Sequence, residues 1–132
     1  MCSRTERLVA LLLAGLVLVA FLQAAWASPP TSLDPEARKH LLAAARASIA
    51  RFVGGTTIRE TDDPRLHRSC AGVFVTLELD GRVRGCRGTL APLTPSLIDE
   101  VRRNAVAAAT NDRRFPPLRA AELARARISI TV

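Results

Sequence analysis

The 132-residue sequence is poor in side chains that nucleic-acid binders and many enzymes need. It contains no Tyr, one Trp and four Phe, whereas proteins that bind single strands stack bases on exposed aromatic rings. It also has no glycine-rich phosphate loop, no Gly-x-Ser-x-Gly motif and only two histidines, so few residues are available as a general base for a serine nucleophile. These absences argue against nucleic acid as a partner and against a serine-hydrolase triad.

Positive charge is abundant but scattered. The formal net charge is +7 at pH 7, and arginine supplies 18 of the 19 basic residues. The arginines occur in every predicted element, whereas nucleic-acid binders gather basic residues on one face. We therefore expect attraction to small anionic ligands or to a partner protein, and no nucleic acid.

One long apolar run, residues 8–22, dominates the N-terminus. Two arginines precede it, and the small-x-small pattern Ala25-Trp26-Ala27 follows. This order predicts a secretory signal peptide over residues 1–27 and an exported protein, periplasmic or secreted. The alternative is an uncleaved anchor, because residues 8–27 are just long enough to span a bilayer. That anchor would then be the only contact with a membrane.

The rest of the chain predicts an α+β domain over residues 34–132, after a Pro-rich leader at 28–33. The pair Asp34-Pro35 is typical of a helix start, and Gly54-Gly55 is typical of a helix end. Further predicted elements are strands on either side of Asp80-Gly81, a helix beginning at Thr94-Pro95, a short helix over 120–126 and a strand over 128–132. The three phenylalanines of this part are assigned to the core: Phe52, Phe74 and Phe115.

The hairpin at Asp80-Gly81 allows two registers. A two-residue loop places Val75 opposite Cys86. A three-residue loop places Thr76 opposite Cys86 and Leu79 opposite Val83. We prefer the second register because it keeps the apolar residues on one face.

The last strand is expected to pair on one side and to leave its other edge open, so an oligomer could form through that edge.

The segment Arg84-Gly85-Cys86-Arg87-Gly88 is the densest chemical cluster. Guanidinium groups stabilise a neighbouring thiolate, and glycines allow a ligand or another backbone to approach closely. Cys86 is therefore a candidate nucleophile or redox centre, with Arg84 and Arg87 as candidate ligand-binding residues. The alternative is a small packed residue in a tight hairpin with both arginines in solvent.

Neither a disulfide nor a cofactor is predicted. In either register Cys70 lies more than about 13 Å from Cys86, beyond the disulfide limit of about 7 Å between Cα atoms. A zinc site drawn from His67, Cys70 and Cys86 has no obvious fourth ligand.

A second polar cluster begins at Asn104 and continues through residues 111–118. Asp112, Arg114 and Phe115 could shape a pocket beside the hairpin, with Asn104 as a further candidate ligand-binding residue. The same residues also suit a plain helix end followed by a proline turn.

Taken together, these motifs resemble the AMMECR domain family. The matching segments are Gly72-Val-Phe-Val-Thr-Leu77, Val83-Arg-Gly-Cys-Arg-Gly88, Asn104-Ala-Val-Ala-Ala-Ala109 and Asp112-Arg-Arg-Phe-Pro-Pro-Leu118. The resemblance implies an α+β fold with an antiparallel, barrel-like sheet, and a family whose biochemical activity is unsettled. It places the family's prominent cysteine at Cys86.

Three departures from the family pattern follow from the same comparison. Arg87 stands where a hydrophobic residue is usual, family members are generally intracellular, and the family domain continues well past the Ile128-Ser-Ile130 strand. Residues 34–132 are therefore identified as a partial AMMECR-type domain.

Three hypotheses of function result. The first is an exported binding or interaction module that presents the Arg84–Arg87 strand. The second is a thiol-based redox or nucleophilic enzyme that uses Cys86. The third is an incomplete gene product that folds poorly or only as an oligomer.

Overall fold

The computed structural model describes residues 33–58, 63–67 and 71–132. The predicted signal peptide, nearly all of the leader and Cys70 lie outside the described residues. No helix in the described ranges is both long enough and apolar enough to cross a bilayer.

The described domain is α+β, as predicted. Its helices and strands are α1 Pro35–Gly54, β1 Phe74–Leu79, β2 Arg82–Gly88, α2 Leu97–Thr110, α3 Ala120–Leu123 and β3 Arg127–Thr131. The strands form an antiparallel sheet in the order β2-β1-β3. Within the described residues this sheet is open and three-stranded, so it does not show the closure that a barrel-like sheet implies.

The first helix begins and ends as predicted. The Asp34 carboxylate accepts a hydrogen bond from the Ala37 N–H at 2.8 Å, which caps the helix start. At the other end, Gly55 adopts a left-handed conformation with φ 64°, and its N–H donates to the Arg51 carbonyl. Glycine tolerates this conformation because it has no Cβ.

The hairpin turn is the two-residue loop that we did not prefer. Leu79 pairs with Arg82, and both loop residues have positive φ, 50° for Asp80 and 76° for Gly81. Two positive φ values match the twist of the flanking strands. The predicted pairing of Leu79 with Val83 is therefore wrong.

Further from the turn the preferred register is confirmed. Thr76 pairs with Cys86, and Leu77 pairs with Gly85. A β-bulge lies between the two registers. Arg84 is an extra residue in β2, because Val83 pairs with Glu78 and Gly85 pairs with Leu77. Because a bulge locally bends a strand and re-aims its side chains, Arg84 does not follow the alternation that the sequence pattern predicts.

The second helix begins later than predicted. Ser96, not Thr94, is its N-cap, and the Ser96 hydroxyl accepts a hydrogen bond from the Asp99 N–H. Thr94 is unavailable for capping because its N–H and hydroxyl both donate to the buried Glu100 carboxylate. Pro95 therefore precedes the N-cap, and the predicted helix start at Thr94-Pro95 is wrong.

Both long helices pack on one face of the sheet. The largest fully buried side chains are Leu41, Ile49, Leu77, Leu97, Ile98, Glu100, Val73, Val75 and Val101. The assignment of the phenylalanines to the core is wrong for two of them, since Phe52 is 65% exposed and Phe74 is 40% exposed. Phe74 alternates with the buried Val73 and Val75, and so faces away from the helices.

Glu100 is a buried carboxylate that sequence reasoning missed. It accepts hydrogen bonds from the Thr89 hydroxyl at 2.6 Å and from the Leu93 and Thr94 N–H groups at 2.9 Å. The Asn104 amide donates to it as well. Burial raises the pKa of Glu100, but these hydrogen bonds outweigh burial and lower that pKa to about 2.

We predict that Glu100 makes folding acid-sensitive. Its pKa is depressed in the folded state, so its stabilisation is complete above the unfolded value of 4.5 and is lost as the pH falls towards 2. Glu100→Gln should lower the free energy of unfolding at pH 7 by about 2–4 kcal/mol. It should also flatten the pH dependence between about 4.5 and 2. Urea denaturation at several pH values measures both effects.

The matched control is Glu36→Gln, since the Glu36 side chain is 67% exposed in α1. It should leave the free energy of unfolding unchanged within about 0.5 kcal/mol. An equally stable Glu100→Gln variant would contradict a structural role for the carboxylate.

Candidate functional site

The outer edge of β2 meets the turn that follows α2. The Cys86 N–H points away from β1 and donates to the Asp112 carboxylate at 2.9 Å. An exposed strand edge leaves such N–H groups unpaired. Here the Asp112 side chain accepts the hydrogen bond that a further strand would otherwise accept. This contact holds the turn at residues 112–118 against Cys86.

The same carboxylate holds Arg114. The Arg114 Nε and Nη2 atoms lie 3.0 and 2.7 Å from the two Asp112 oxygens, and the Arg114 N–H donates to Asp112 as well. Asp112 is 8% exposed, whereas the Arg114 side chain is 61% exposed. The hydrogen bonds from Arg114 and from the Cys86 N–H outweigh burial and hold the pKa of Asp112 far below its usual range.

The Cys86 thiol is free and half-buried. A Cβ on the preceding Gly85 would meet the Ala108 carbonyl at 2.1 Å, so that position faces α2. Successive residues alternate across a strand, and Cys86 therefore faces the opposite side of the sheet. There its Sγ lies 3.3 Å from the Thr76 hydroxyl, and Ser129 flanks Thr76 on β3.

Arg84 is bound to the protein and not to the thiol. Its guanidinium forms a bidentate pair with Glu122 at 3.0 and 3.2 Å. It also donates to the carbonyls of Pro116 and Pro117. The bulge in β2 directs the side chain towards this turn. The Arg84 side chain, then the Arg119 N–H, lower the pKa of Glu122 to about 2.

Phe115 lies between these polar contacts. The guanidinium carbons of Arg84 and Arg114 are 5.8 and 5.3 Å from the centre of its ring, within the range of cation–π attraction. We define the Cys86 edge as Thr76, Cys86, Asp112, Arg114 and Phe115. It combines a thiol, a hydroxyl, an aromatic ring and a guanidinium that a buried carboxylate keeps in place.

Two of the predicted ligand-binding residues lie elsewhere. Arg87 pairs with the buried Val75 and is itself exposed, so it is on the face of the sheet opposite to Cys86. Asn104 is buried and donates to the carbonyl and the carboxylate of Glu100. The expectation that Arg84 and Arg87 jointly flank the thiol is therefore wrong: one is bound by Glu122, and the other faces away.

Sequence reasoning missed the roles of Thr76 and Glu122. The preferred register already placed Thr76 opposite Cys86, and this was a usable signal for their contact. No local pattern could connect Glu122 with Arg84, because 38 residues separate them. Arg114, and not Arg84, is bonded to the carboxylate that accepts the Cys86 N–H. Both Asp112 and the electrostatic attraction of Cys86 raise the pKa of Arg114.

Among the described residues, no three His, Cys, Asp or Glu side chains come together as a metal-binding group. The combination of His67, Cys70 and Cys86 stays untested because Cys70 lies outside the described ranges. Hydrogen bonds from Arg65 chiefly lower the pKa of Asp63, with a smaller electrostatic contribution from His40. The Ser96 hydroxyl chiefly lowers the pKa of Asp99, with a smaller contribution from His67.

The bulge of β2 and residues 112–122, which adjoin the Cys86 edge, carry an excess of positive charge. The arginines of the bulge and the turn outnumber the carboxylates there by four to two: Arg84, Arg113, Arg114, Arg119, Asp112 and Glu122. Both carboxylates are already paired with arginine. The formal excess is two positive charges, and the side chains of Arg114 and Arg119 are 61% and 84% exposed to solvent.

We predict that the two arginines of β2 differ strongly in their effect on stability. Arg84→Ala removes a bidentate ion pair and leaves Glu122, whose side chain is 15% exposed, without its main partner. This should cost about 2–3 kcal/mol of unfolding free energy. Arg87→Ala, three residues away and exposed, should cost less than about 0.5 kcal/mol. Urea denaturation of both variants tests this difference, and equal losses would contradict it.

Comparison with known proteins is consistent with the resemblance seen in the sequence. A protein of Thermotoga maritima is 51% identical over 79 residues, which are 57% of this chain and 45% of that protein. A protein of Methanothermobacter thermautotrophicus is 39% identical over 102 residues, which are 76% of this chain and 53% of that protein. The chain thus spans about half the length of these curated relatives.

A solved structure shares the fold. The crystal structure of an uncharacterized protein, PH0010, from Pyrococcus horikoshii superposes with a TM-score of 0.61 at 29% identity. The matched region covers 70% of this chain and 49% of that one. The AMMECR1 family profile matches residues 42–132, which include every member of the Cys86 edge. On this match, the chain belongs to the AMMECR1 family.

Proposed function

We propose that this chain is an exported binding module and that the Cys86 edge holds a small anionic ligand, such as a carboxylate. The Asp112 carboxylate is the observation that carries the proposal. It is nearly buried, and it joins the Cys86 backbone to the Arg114 guanidinium. A binding site gains affinity when its charged group is held in place before the ligand arrives.

The surroundings of Arg114 support an anion as the ligand. Asp112 occupies its Nε and Nη2 atoms, while most of the side chain stays exposed. The thiol of Cys86 and the hydroxyl of Thr76 lie beside one another on the adjacent strands and can donate hydrogen bonds to the same ligand. Phe115 supplies an apolar surface next to these donors.

The binding module is favoured over the thiol enzyme for a physical reason. The enzyme hypothesis relied on Arg84 and Arg87 to stabilise a Cys86 thiolate. Arg84 is instead paired with Glu122, and Arg87 faces the other side of the sheet. A neighbouring general base is another way to activate a thiol, but the carboxylate bonded to the Cys86 N–H is already paired with Arg114.

Two alkylating probes of different charge test this proposal. In a Cys2→Ser, Cys70→Ser background, Cys86 is the only thiol. An adjacent guanidinium should make Cys86 react faster with anionic iodoacetate, relative to neutral iodoacetamide, than it does in the urea-unfolded chain. One unit charge at about 6 Å in water corresponds to about a threefold change in this rate ratio. Added salt should reduce the ratio by screening.

Arg114→Gln should lower the rate ratio at least to the unfolded value, because it removes the cation and leaves Asp112 uncompensated. Arg38→Gln is the matched control. It removes the same charge from an exposed position in α1 and should leave the ratio unchanged. A wild-type ratio equal to that of the unfolded chain, or insensitive to salt, would refute an anion-binding edge.

Export is proposed from the pattern of residues 1–27 alone. If it occurs, the chain recovered from outside the cytoplasm should begin at Ser28, because cleavage is expected after Ala27. N-terminal sequencing or intact mass measures this. A chain that keeps its first 27 residues in the membrane fraction would favour the anchor instead.

A further inference from the structure

The segment from Asp112 to Glu122 is bonded to β2 at two neighbouring positions. At one end of the segment, the Asp112 carboxylate accepts a hydrogen bond from the Cys86 N–H at 2.9 Å. At the other end, the Glu122 carboxylate pairs with the Arg84 guanidinium at 3.0 Å. The turn at residues 112–118, which supplies three members of the Cys86 edge, is thus attached to the same strand that supplies the thiol.

The two prolines of this turn restrict how the rest of the protein can hold it. Proline has no backbone N–H, so Pro116 and Pro117 can form backbone hydrogen bonds through their carbonyls alone. Both carbonyls accept hydrogen bonds from the Arg84 guanidinium, at 3.0 Å for Pro116 and 3.4 Å for Pro117. Just after them, the Leu118 N–H donates to the Ala109 carbonyl at 2.7 Å. Arg84 therefore bonds the part of the turn that has no N–H groups of its own.

The position and the shape of Arg84 suit it to this task. Because it is the extra residue of the β-bulge, its side chain departs from the alternation of the strand. Its side chain is only 13% exposed, and its guanidinium carbon lies 5.8 Å from the centre of the Phe115 ring. A planar guanidinium carries five N–H donors, so it can bond to the Glu122 carboxylate and to two carbonyls at once.

We propose that Arg84 is a positioning residue of the Cys86 edge. It holds the two proline carbonyls and so keeps the turn where the Asp112 carboxylate accepts the Cys86 N–H. Arg114 then stays bonded to that same carboxylate. Arg84 acts on the anion through the turn and does not touch it. This inference rests on the proposed function, because a residue can position an anion site only where such a site exists.

The test removes Arg84 without changing the net charge of the site. Arg84→Met combined with Glu122→Met deletes a cation and its anion together, and apolar residues often replace such a pair without loss of stability. The variant is made in the full chain with Cys2→Ser and Cys70→Ser. The ratio of the iodoacetate rate to the iodoacetamide rate should fall from about three times the unfolded-chain value to nearly that value.

Hydrogen exchange of the Cys86 amide gives a second readout that does not involve an anion. Its bond to Asp112 protects this N–H, and release of the turn should raise its exchange rate by about tenfold. The amide of Ala105, in the buried middle of α2, should exchange at an unchanged rate. An effect at Cys86 that Ala105 does not share separates positioning from a general loss of stability.

Two control variants accompany the test. Glu36→Met combined with Lys39→Met removes an ion pair of α1 whose side chains are 67% and 75% exposed, and it should leave both readouts unchanged. Glu122→Gln keeps an acceptor for Arg84 and leaves its bonds to the prolines in place. In this variant the Cys86 amide should stay protected and the rate ratio should not fall. Loss of protection there would overturn the role given to the proline carbonyls.

The two proposals fail in different ways. A wild-type rate ratio no higher than that of the unfolded chain would refute the anion site itself. A raised wild-type ratio that the Arg84→Met, Glu122→Met variant retains would overturn only the role of Arg84. An unchanged exchange rate at Cys86 in this variant would do the same. Equal acceleration at Cys86 and Ala105 would also overturn that role, because the pair would then act on the stability of the whole fold.

Discussion

The contact between Asp112 and the edge of β2 determines how the rest of the candidate site is arranged. One carboxylate satisfies the Cys86 N–H, binds the Arg114 guanidinium and anchors the turn that carries Phe115. A buried carboxylate is tolerated only when hydrogen bonds replace the water that it loses. The need to satisfy Asp112 therefore keeps the Arg114 guanidinium on the same carboxylate as the Cys86 backbone N–H.

Carboxylates bonded to backbone N–H groups recur through this fold. Glu100 joins the loop after β2 to α2, and Glu122 joins the N–H of Arg119 to the guanidinium of Arg84. Asp112 does the same at the edge of β2. In each case a carboxylate connects irregular backbone to a helix or a strand. Strand pairing or the packing of apolar side chains is the more common way to make such a connection. A small domain with few aromatic residues in its core has limited apolar area to bury, and these polar junctions supplement it.

Much of the architecture could be predicted from the sequence, because the signals are local. The cap at Asp34, the glycine stop after α1, the alternation along β1 and the turn at Asp80-Gly81 depend on neighbours a few residues away. The direction of the Arg84 side chain could not be predicted in this way. It depends on the β-bulge, which allows the two-residue turn at Asp80-Gly81 and the Thr76–Cys86 pairing to occur in the same hairpin.

The sequence by itself predicted the elements, their order, the membership of a family and, as the preferred one of two registers, the pairing of Thr76 with Cys86. Tertiary structure alone decided which of the charged residues around the thiol belong to one site. Four residues look alike as candidates in the sequence but differ in the structure. Arg84 is bound by Glu122, and Arg87 is exposed on the far face. Asn104 is bonded to Glu100, and Arg114 is held by Asp112. The physical reason is that a carboxylate partner determines where an arginine side chain lies. Packing across the sheet and reversals of the chain bring the two partners together, and the local periodicity of the sequence does not encode either of these.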